Sequence, residues 1–167
     1  GQSALDIGTG SGCIAVSLAL EGLQVTAMDI SADALRIAGG NASMLQADVE
    51  LVQEDILHPA SSNQQWDIIV SNPPYIRHME AGDMEATVLE HEPHTALFVP
   101  DSDPLLFYRA IGQYAWEHLG SQGKLWFESN REFHRETCQL LEGFGFTGIE
   151  ARKDFYDNYR FVKATRP

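Results

Sequence analysis

Asn72 and two consecutive prolines, Pro73 and Pro74, follow directly on the apolar run Trp66-Asp67-Ile68-Ile69-Val70-Ser71, and this junction limits the fold more than any other stretch. The run has the length and composition of a buried strand. A proline pair cannot continue a sheet ladder, because it has no backbone N–H to donate. The strand therefore stops and leaves Asn72, rigid backbone carbonyls and Tyr75 at its carboxyl end. In an open α/β sheet that end is where ligands bind. An amide oxygen and a fixed carbonyl are both acceptors, and held side by side they can take the two hydrogens of a planar NH2 group. Tyr75 can stack on the flat group that carries it. Asn72, Pro73, Pro74 and Tyr75 are thus the candidate catalytic residues.

The chain before this junction alternates strand-like and helix-like runs. Ser3 to Ile7 reads as a buried strand, Gly8-Thr9-Gly10-Ser11-Gly12 as a turn, and Cys13 to Leu20 as a helix. A glycine-rich turn between strand and helix lets a ligand approach the backbone and points N–H groups at it. The strand Gln24 to Met28 delivers Asp29, about 20 residues after the glycines, where an acid can accept both hydroxyls of a ribose. The alternative for Asp29 is an N-cap for the next helix, a role open to Ser31 as well. From Ala32 to Gln46 the spacing of Leu35, Ala38, Ala42 and Leu45 predicts one helix straight through Gly39-Gly40, at about 1 kcal/mol for each glycine. Val49 to Gln53 reads as a third strand. Asp55 beyond it is placed to accept from an adenine amine, with Ile56 and Ile30 as apolar walls, or is simply an exposed loop acid.

Pro59 to Gln65 is too short for a full crossover helix. After Tyr75 a long segment, Ile76 to Asp101, is predicted to lie over the ligand-binding edge as a functional loop. Its His91-Glu92-Pro93-His94 lacks metal-ligand spacing, so the histidines read as solvated or capping, and no metal is expected. Asp103-Pro104 is a predicted N-cap and first turn of a helix that Gly120 closes after Leu119. Lys124 to Glu128 is the fifth strand. Phe133 to Phe144 is an amphipathic helix before Gly145, and Phe146 to Arg152 with Tyr159 to Ala164 forms a closing hairpin. The order is that of a doubly wound, mainly parallel α/β sheet of seven strands with an antiparallel C-terminal hairpin strand.

Composition narrows the partners. With 167 residues, 44% of them apolar, the chain suffices for one domain spanning 1–167. Lys and Arg number 11 against 24 Asp and Glu, a net charge of −13 that repels phosphate backbones and disfavours nucleic acid. Cys13 and Cys138 sit far apart in apolar stretches, which suits a reduced, cytoplasmic setting. No apolar run approaches the ~20 residues that span a bilayer. The chain enters its first strand without a leading helix to cover the sheet, the mark of a piece of a longer polypeptide.

Leu5-Asp6-Ile7-Gly8-Thr9-Gly10-Ser11-Gly12 resembles the first signature of class I S-adenosylmethionine-dependent methyltransferases. Ser71-Asn72-Pro73-Pro74-Tyr75-Ile76 is similar to the signature of those that methylate a planar NH2 nitrogen. Glu92-Pro93 with Ala96-Leu97, Tyr108-Arg109-Ala110-Ile111, Phe127-Glu128, and Lys153-Asp154 with Arg160-Phe161-Val162 extend the resemblance, from Ala4 to Ala164, to the HemK/PrmC family of protein-(glutamine-N5) methyltransferases. The sequence departs from that family's usual glycine-rich run after Leu97, where it carries Phe98 to Leu105, and at Asp157 and Tyr159. The resemblance implies a Rossmann-like fold and S-adenosyl-L-methionine as cofactor, bound by Asp6, Gly8, Thr9, Gly10, Gly12, Asp29, Ile30, Asp55, Ile56 and Asn72. It implies a peptide-chain release factor as partner, methylated on the glutamine of its Gly-Gly-Gln motif, and an N-terminal helical domain outside this sequence. Two other readings stay open: methylation of an exocyclic base amine in DNA or RNA, since the same clamp can hold a flipped base, and a non-catalytic cofactor-binding subunit.

Overall fold

The computed structural model describes residues 1–74, 76–77 and 98–167. In chain order the elements are β1 (Ser3–Ile7), α1 (Cys13–Leu20), β2 (Gln24–Asp29), α2 (Ala32–Met44), β3 (Val49–Gln53), β4 (Trp66–Ser71), β5 (Ile76–Arg77), β6 (Phe98–Val99), α3 (Leu106–His118), β7 (Leu119–Glu128), α4 (His134–Phe144), β8 (Thr147–Lys153) and β9 (Tyr159–Thr165). Seven strands form one sheet in the order β3-β2-β1-β4-β7-β9-β8, with β9 antiparallel to both neighbours and the other pairings parallel. This is the predicted doubly wound sheet, reversing direction outward from β1 and β4.

Alternate side chains of the central strands enter two cores. Ala4, Val25 and Ala27 pack with Ala15, Leu18 and Ala19 of α1 on one face. On the other, Leu5, Ile7, Ile69, Leu125, Phe127 and Val162 pack against Tyr108, Ile111 and Ala115 of α3 and Leu141 of α4. Leu5, Ile69 and Leu125 are completely buried, each contributing roughly 1.5–3 kcal/mol. With helices on both faces, β1 is covered on both sides, and its last four residues are all buried, the charged Asp6 among them.

The helix across Gly39-Gly40 forms as predicted, but stops at Met44, where Gln46 turns left-handed (φ 56°). A Cβ on Gly39 would lie 2.9 Å from Leu51 Cδ1, so that glycine lets α2 settle onto β3, whereas Gly40 faces open space.

Two predicted boundaries move. Asp103 does not cap α3: Arg109 takes both its carboxylate oxygens (2.9 and 3.1 Å), and the helix starts at Leu106 with no side-chain cap. Gly120 does not close it either, because Leu119 is already extended (ψ 136°) and pairs with Trp66, so β7 begins five residues before the predicted Lys124 and Gly120 lies within it. The segment after β4 is bracketed by the unpredicted parallel pair β5 and β6, Ile76 with Phe98 and Arg77 with Val99. Tyr75, Glu92-Pro93, Ala96-Leu97 and the histidines at 91 and 94 lie outside the described residues.

Candidate active site

Sheet register assembles the site. Ile7, the last residue of β1, pairs with Met28 on one side and Ser71 on the other, while Asp29 pairs with Gln53. The glycine turn, Asp29, Asp55 and Asn72 therefore all leave the same edge of four adjacent parallel strands, at spacings of about 4.8 Å. Ser71 ties the central two together by donating its buried hydroxyl to the Ile7 carbonyl (2.6 Å). No sequence pattern marks that bond, since it joins residues 64 apart.

The turn folds back over the end of β2 because Gly8, Gly10 and Gly12 all have positive φ (72°, 56° and 82°). Gly8 and Thr9 N–H both donate to the Met28 carbonyl (2.8 and 3.0 Å), Gly10 N–H to Asp29 Oδ2 (2.9 Å) and Gly12 N–H to the Thr9 carbonyl (2.9 Å). Those four N–H groups, expected to face a ligand, are thus engaged within the protein. At Gly12 a Cβ would come within 2.9 Å of Ala38 Cβ, so only glycine lets α1 and α2 meet here. Asn41 of α2 donates to the Ser11 carbonyl (2.9 Å), fixing the turn from the other side.

Beneath the turn lies Asp6, buried, with one oxygen accepting from the Thr9 hydroxyl (2.7 Å) and the Ala15 N–H (3.2 Å). Its other oxygen, Oδ1, is buried without a partner among the described residues. Burial pushes the Asp6 pKa up to about 6; the Thr9 and Ala15 hydrogen bonds oppose the rise and the Asp29 charge adds to it. At neutral pH the group is still mostly a carboxylate, with one oxygen available to a donor or cation.

Asp29 accepts from Gly10 N–H and, at Oδ1, from Ser31 N–H (2.9 Å). Each oxygen keeps a second lone pair. The capping alternative is resolved by Ser31, whose own hydroxyl accepts from Ala34 N–H at the start of α2 (3.2 Å). Ile30 is 60% exposed beside it, its carbonyl accepting from Gln53 Nε2 (3.0 Å), and Glu54 N–H donates to the Asp29 carbonyl (3.0 Å), one residue before Asp55. Asp55 accepts from His58 Nδ1 (3.0 Å) and Leu57 N–H (2.9 Å), which hold its pKa below the usual carboxylate range. Ile56 is half-buried against the larger core.

On the far side Asn72 is exposed, Pro73 buried and Pro74 half-buried. The end of β7 continues the edge: the Tyr108 hydroxyl donates to the Glu128 carbonyl (3.4 Å) and accepts from Asn130 N–H (3.1 Å). Of two cavities, one lies away from this edge and the other reaches it. One of about 340 Å³ lies between Pro59–Asn63 and Glu117–His118, toward the amino ends of β4 and β7. The other, about 320 Å³, lies on the sheet face over Ile68, Val70 and Trp126 and reaches the carboxyl ends of β4 and β7 at Ser71 and Glu128. Among the described residues, the site is an open cleft across strand ends.

Residues 1–97 match the methyltransferase small domain family. A release factor glutamine methyltransferase of Flavobacterium psychrophilum is 48% identical over 161 residues, 95% of this chain and 56% of its own length. That of Bacteroides thetaiotaomicron is 44% identical over 165 residues, 97% of this chain and 59% of its own. The chain spans a little over half the length of these relatives. A methyltransferase from Pyrococcus furiosus superposes with a TM-score of 0.73 at 18% identity, covering 99% of this chain and 75% of that one. A T. thermophilus 16S rRNA methyltransferase solved with AdoMet and guanosine gives 0.71 at 19%, covering 100% of this chain and 38% of that one. At such identities the two structures speak for the fold alone.

Proposed function

The chain belongs to the methyltransferase small domain family, and from that premise we propose that it is the catalytic domain of a release factor glutamine methyltransferase using S-adenosyl-L-methionine. The observation that supports this reading is the shared register of Ile7, Met28 and Ser71, by which the glycine turn and Asn72-Pro73 follow the ends of neighbouring strands. The similarity to release factor glutamine methyltransferases supports the choice of substrate. A cytoplasmic setting goes with a substrate that acts in translation.

The residues present fit the cofactor. Asp6 Oδ1 is a buried acceptor without a donor, suited to the cationic end of an amino-acid moiety. Asp29 retains lone pairs for ribose hydroxyls, and Asp55, Ile30 and Ile56 line the adjacent position for adenine. Gly8, Thr9, Gly10 and Gly12 shape the turn that brings Asp6 and Asp29 together. When bound, S-adenosyl-L-methionine supplies a methyl group activated by a sulfonium.

The protein's task is to present the nucleophile. An amide nitrogen is a weak one, because its lone pair is delocalised into the carbonyl. Asn72 Oδ1 and the Pro73 carbonyl accept the two hydrogens of the glutamine NH2, orient the nitrogen, and favour its more pyramidal, electron-rich form. Pro73 and Pro74 keep these acceptors rigid. Tyr75 packs against the amide or its neighbouring glycines. No general base is assigned, since the proton can depart once positive charge has developed on nitrogen.

Transfer of labelled methyl groups tests the reading with three acceptors: a release factor containing Gly-Gly-Gln, bulk RNA and bulk DNA. Label in the release factor alone is the expected result. Label in nucleic acid would select the base-amine reading instead, and cofactor binding without transfer to any acceptor would select a non-catalytic subunit.

A further inference from the structure

The β8–β9 hairpin ends on the same side as the candidate site: β7 leaves the sheet at Glu128, which pairs with Phe161 near the start of antiparallel β9. The turn at residues 154–158 therefore projects beyond the edge that carries Asn72. At its tip Phe155 is fully exposed and Tyr156 is 86% exposed. Two neighbouring bare aromatic rings are costly to solvate, and such residues dominate binding energy in protein interfaces.

The turn that holds them is fixed. Asp154 N–H donates to the Asn158 carbonyl (2.8 Å), and the Asp154 carboxylate accepts from Tyr156 N–H (2.9 Å), Asn158 N–H (3.1 Å) and Arg160 Nε (3.2 Å). Lys153 pairs with Asp157 across the turn (2.9 Å). Arg160 also reaches Glu128 (3.8 Å), and its carbonyl accepts from Ser129 N–H (2.7 Å), which ties the hairpin to the strand beside Asn72. Such a hairpin presents its rings with little ordering cost on binding.

We propose that Phe155 and Tyr156 form a docking knob for the protein substrate, gripping an apolar patch on it; this rests on the reading of the chain as a release factor methyltransferase. Strand spacing and rise place the knob on the order of 15 Å from Asn72, a distance that about five extended residues cover. It would therefore contact the substrate outside the Gly-Gly-Gln motif itself. Around the knob Arg152, Lys153 and Arg160 pair with Glu150, Asp157 and Asp154, so the contact that the knob offers a partner is apolar rather than electrostatic.

The test is steady-state methylation of an intact release factor by the protein and its F155A/Y156A variant, with F155Y/Y156F as the aromatic control. The expected result is a roughly tenfold rise in KM with kcat within about twofold for the alanine variant, recovery by the aromatic variant, and unchanged S-adenosylmethionine affinity by calorimetry. Equal KM values in all three proteins would overturn the docking role while leaving the proposed function standing. Loss of cofactor affinity in the alanine variant, or dissociation of a dimer by it in sedimentation, would also overturn it. Absence of methyl transfer by the unmodified protein would overturn the underlying reading and the knob with it.

Discussion

The two halves of the strand-end cleft are built on opposite plans. On the β1–β2 side, hydrogen bonds join Thr9 to Asp6, Gly12 to Thr9, Gly10 to Asp29 and Gly8 to the Met28 carbonyl, and the Asp6 carboxylate is buried with one oxygen unpartnered among the described residues. On the β4 side, Asn72 is exposed on a proline-stiffened backbone, anchored from below by the Ser71 bond to Ile7. The first half holds a buried carboxylate whose cost a bound cation would relieve. The second fixes only direction. Changes in the first half should therefore be read in cofactor affinity and in stability, and changes in the second in turnover.

The sharpest way to break that contrast is Asn72→Ala. It should lower turnover by roughly 10²–10⁴ while cofactor affinity stays within a few fold, because orientation and electrostatic stabilisation are lost together. Single-turnover rates and calorimetry on the same preparations check this, and a matching loss in cofactor affinity would erase the division.

Next in size is Asp6. Its folded pKa of about 6 lies above the ordinary value of 3.8, so the native state holds the proton more tightly than the unfolded chain. Its stabilising contribution is complete below about pH 4 and is lost as pH rises through about 6, a change of about 3 kcal/mol at most. Asp6→Asn should remove this fall, making the ligand-free variant relatively more stable at pH 7, and should weaken cofactor binding. Urea midpoints of both proteins from pH 4 to 7 measure the difference, and parallel profiles would show that the carboxylate carries no strain.

Asp29→Ala should weaken the cofactor by about 10–100-fold, the scale of one lost charge-assisted hydrogen bond. Thermal stability should fall as well, because Gly10 N–H and Ser31 N–H lose their acceptor, although Ser31 still caps α2. Unchanged affinity by calorimetry would remove Asp29 from the ligand side of the cleft.

The smallest effect lies away from it. Gly40→Ala should stabilise the protein by up to about 1 kcal/mol, since this exposed helical position has room for a Cβ. Gly39→Ala should gain less or lose, because its Cβ would press on Leu51. Equal gains in denaturation midpoint at both sites would mean that α2 and β3 adjust freely.

The sheet was legible in the sequence because its central strands are buried on both faces and bounded by glycine and proline, signals that need only neighbouring residues. The helix through Gly39-Gly40 was legible for the same reason, from the spacing of Leu35, Ala38 and Ala42. What escaped depended on remote partners. Asp103 looked like a cap until Arg109 claimed it, and Gly120 looked like a stop although Trp66 pairs with Leu119. In the cleft, the residue types at the strand ends could be read in advance. The inward turn of the glycine N–H groups, the open Asp6 oxygen and the Ser71 tie could not, for each depends on how β1 sits between β2 and β4.

Tandem mass spectrometry of a Gly-Gly-Gln release factor, after incubation with S-adenosylmethionine and either the unmodified protein or Asn72→Ala, tests the account most directly. The expected result is a single added methyl on the glutamine side chain with the unmodified protein and almost none with the variant. A methyl group on another residue, or equal glutamine methylation by both proteins, would contradict it.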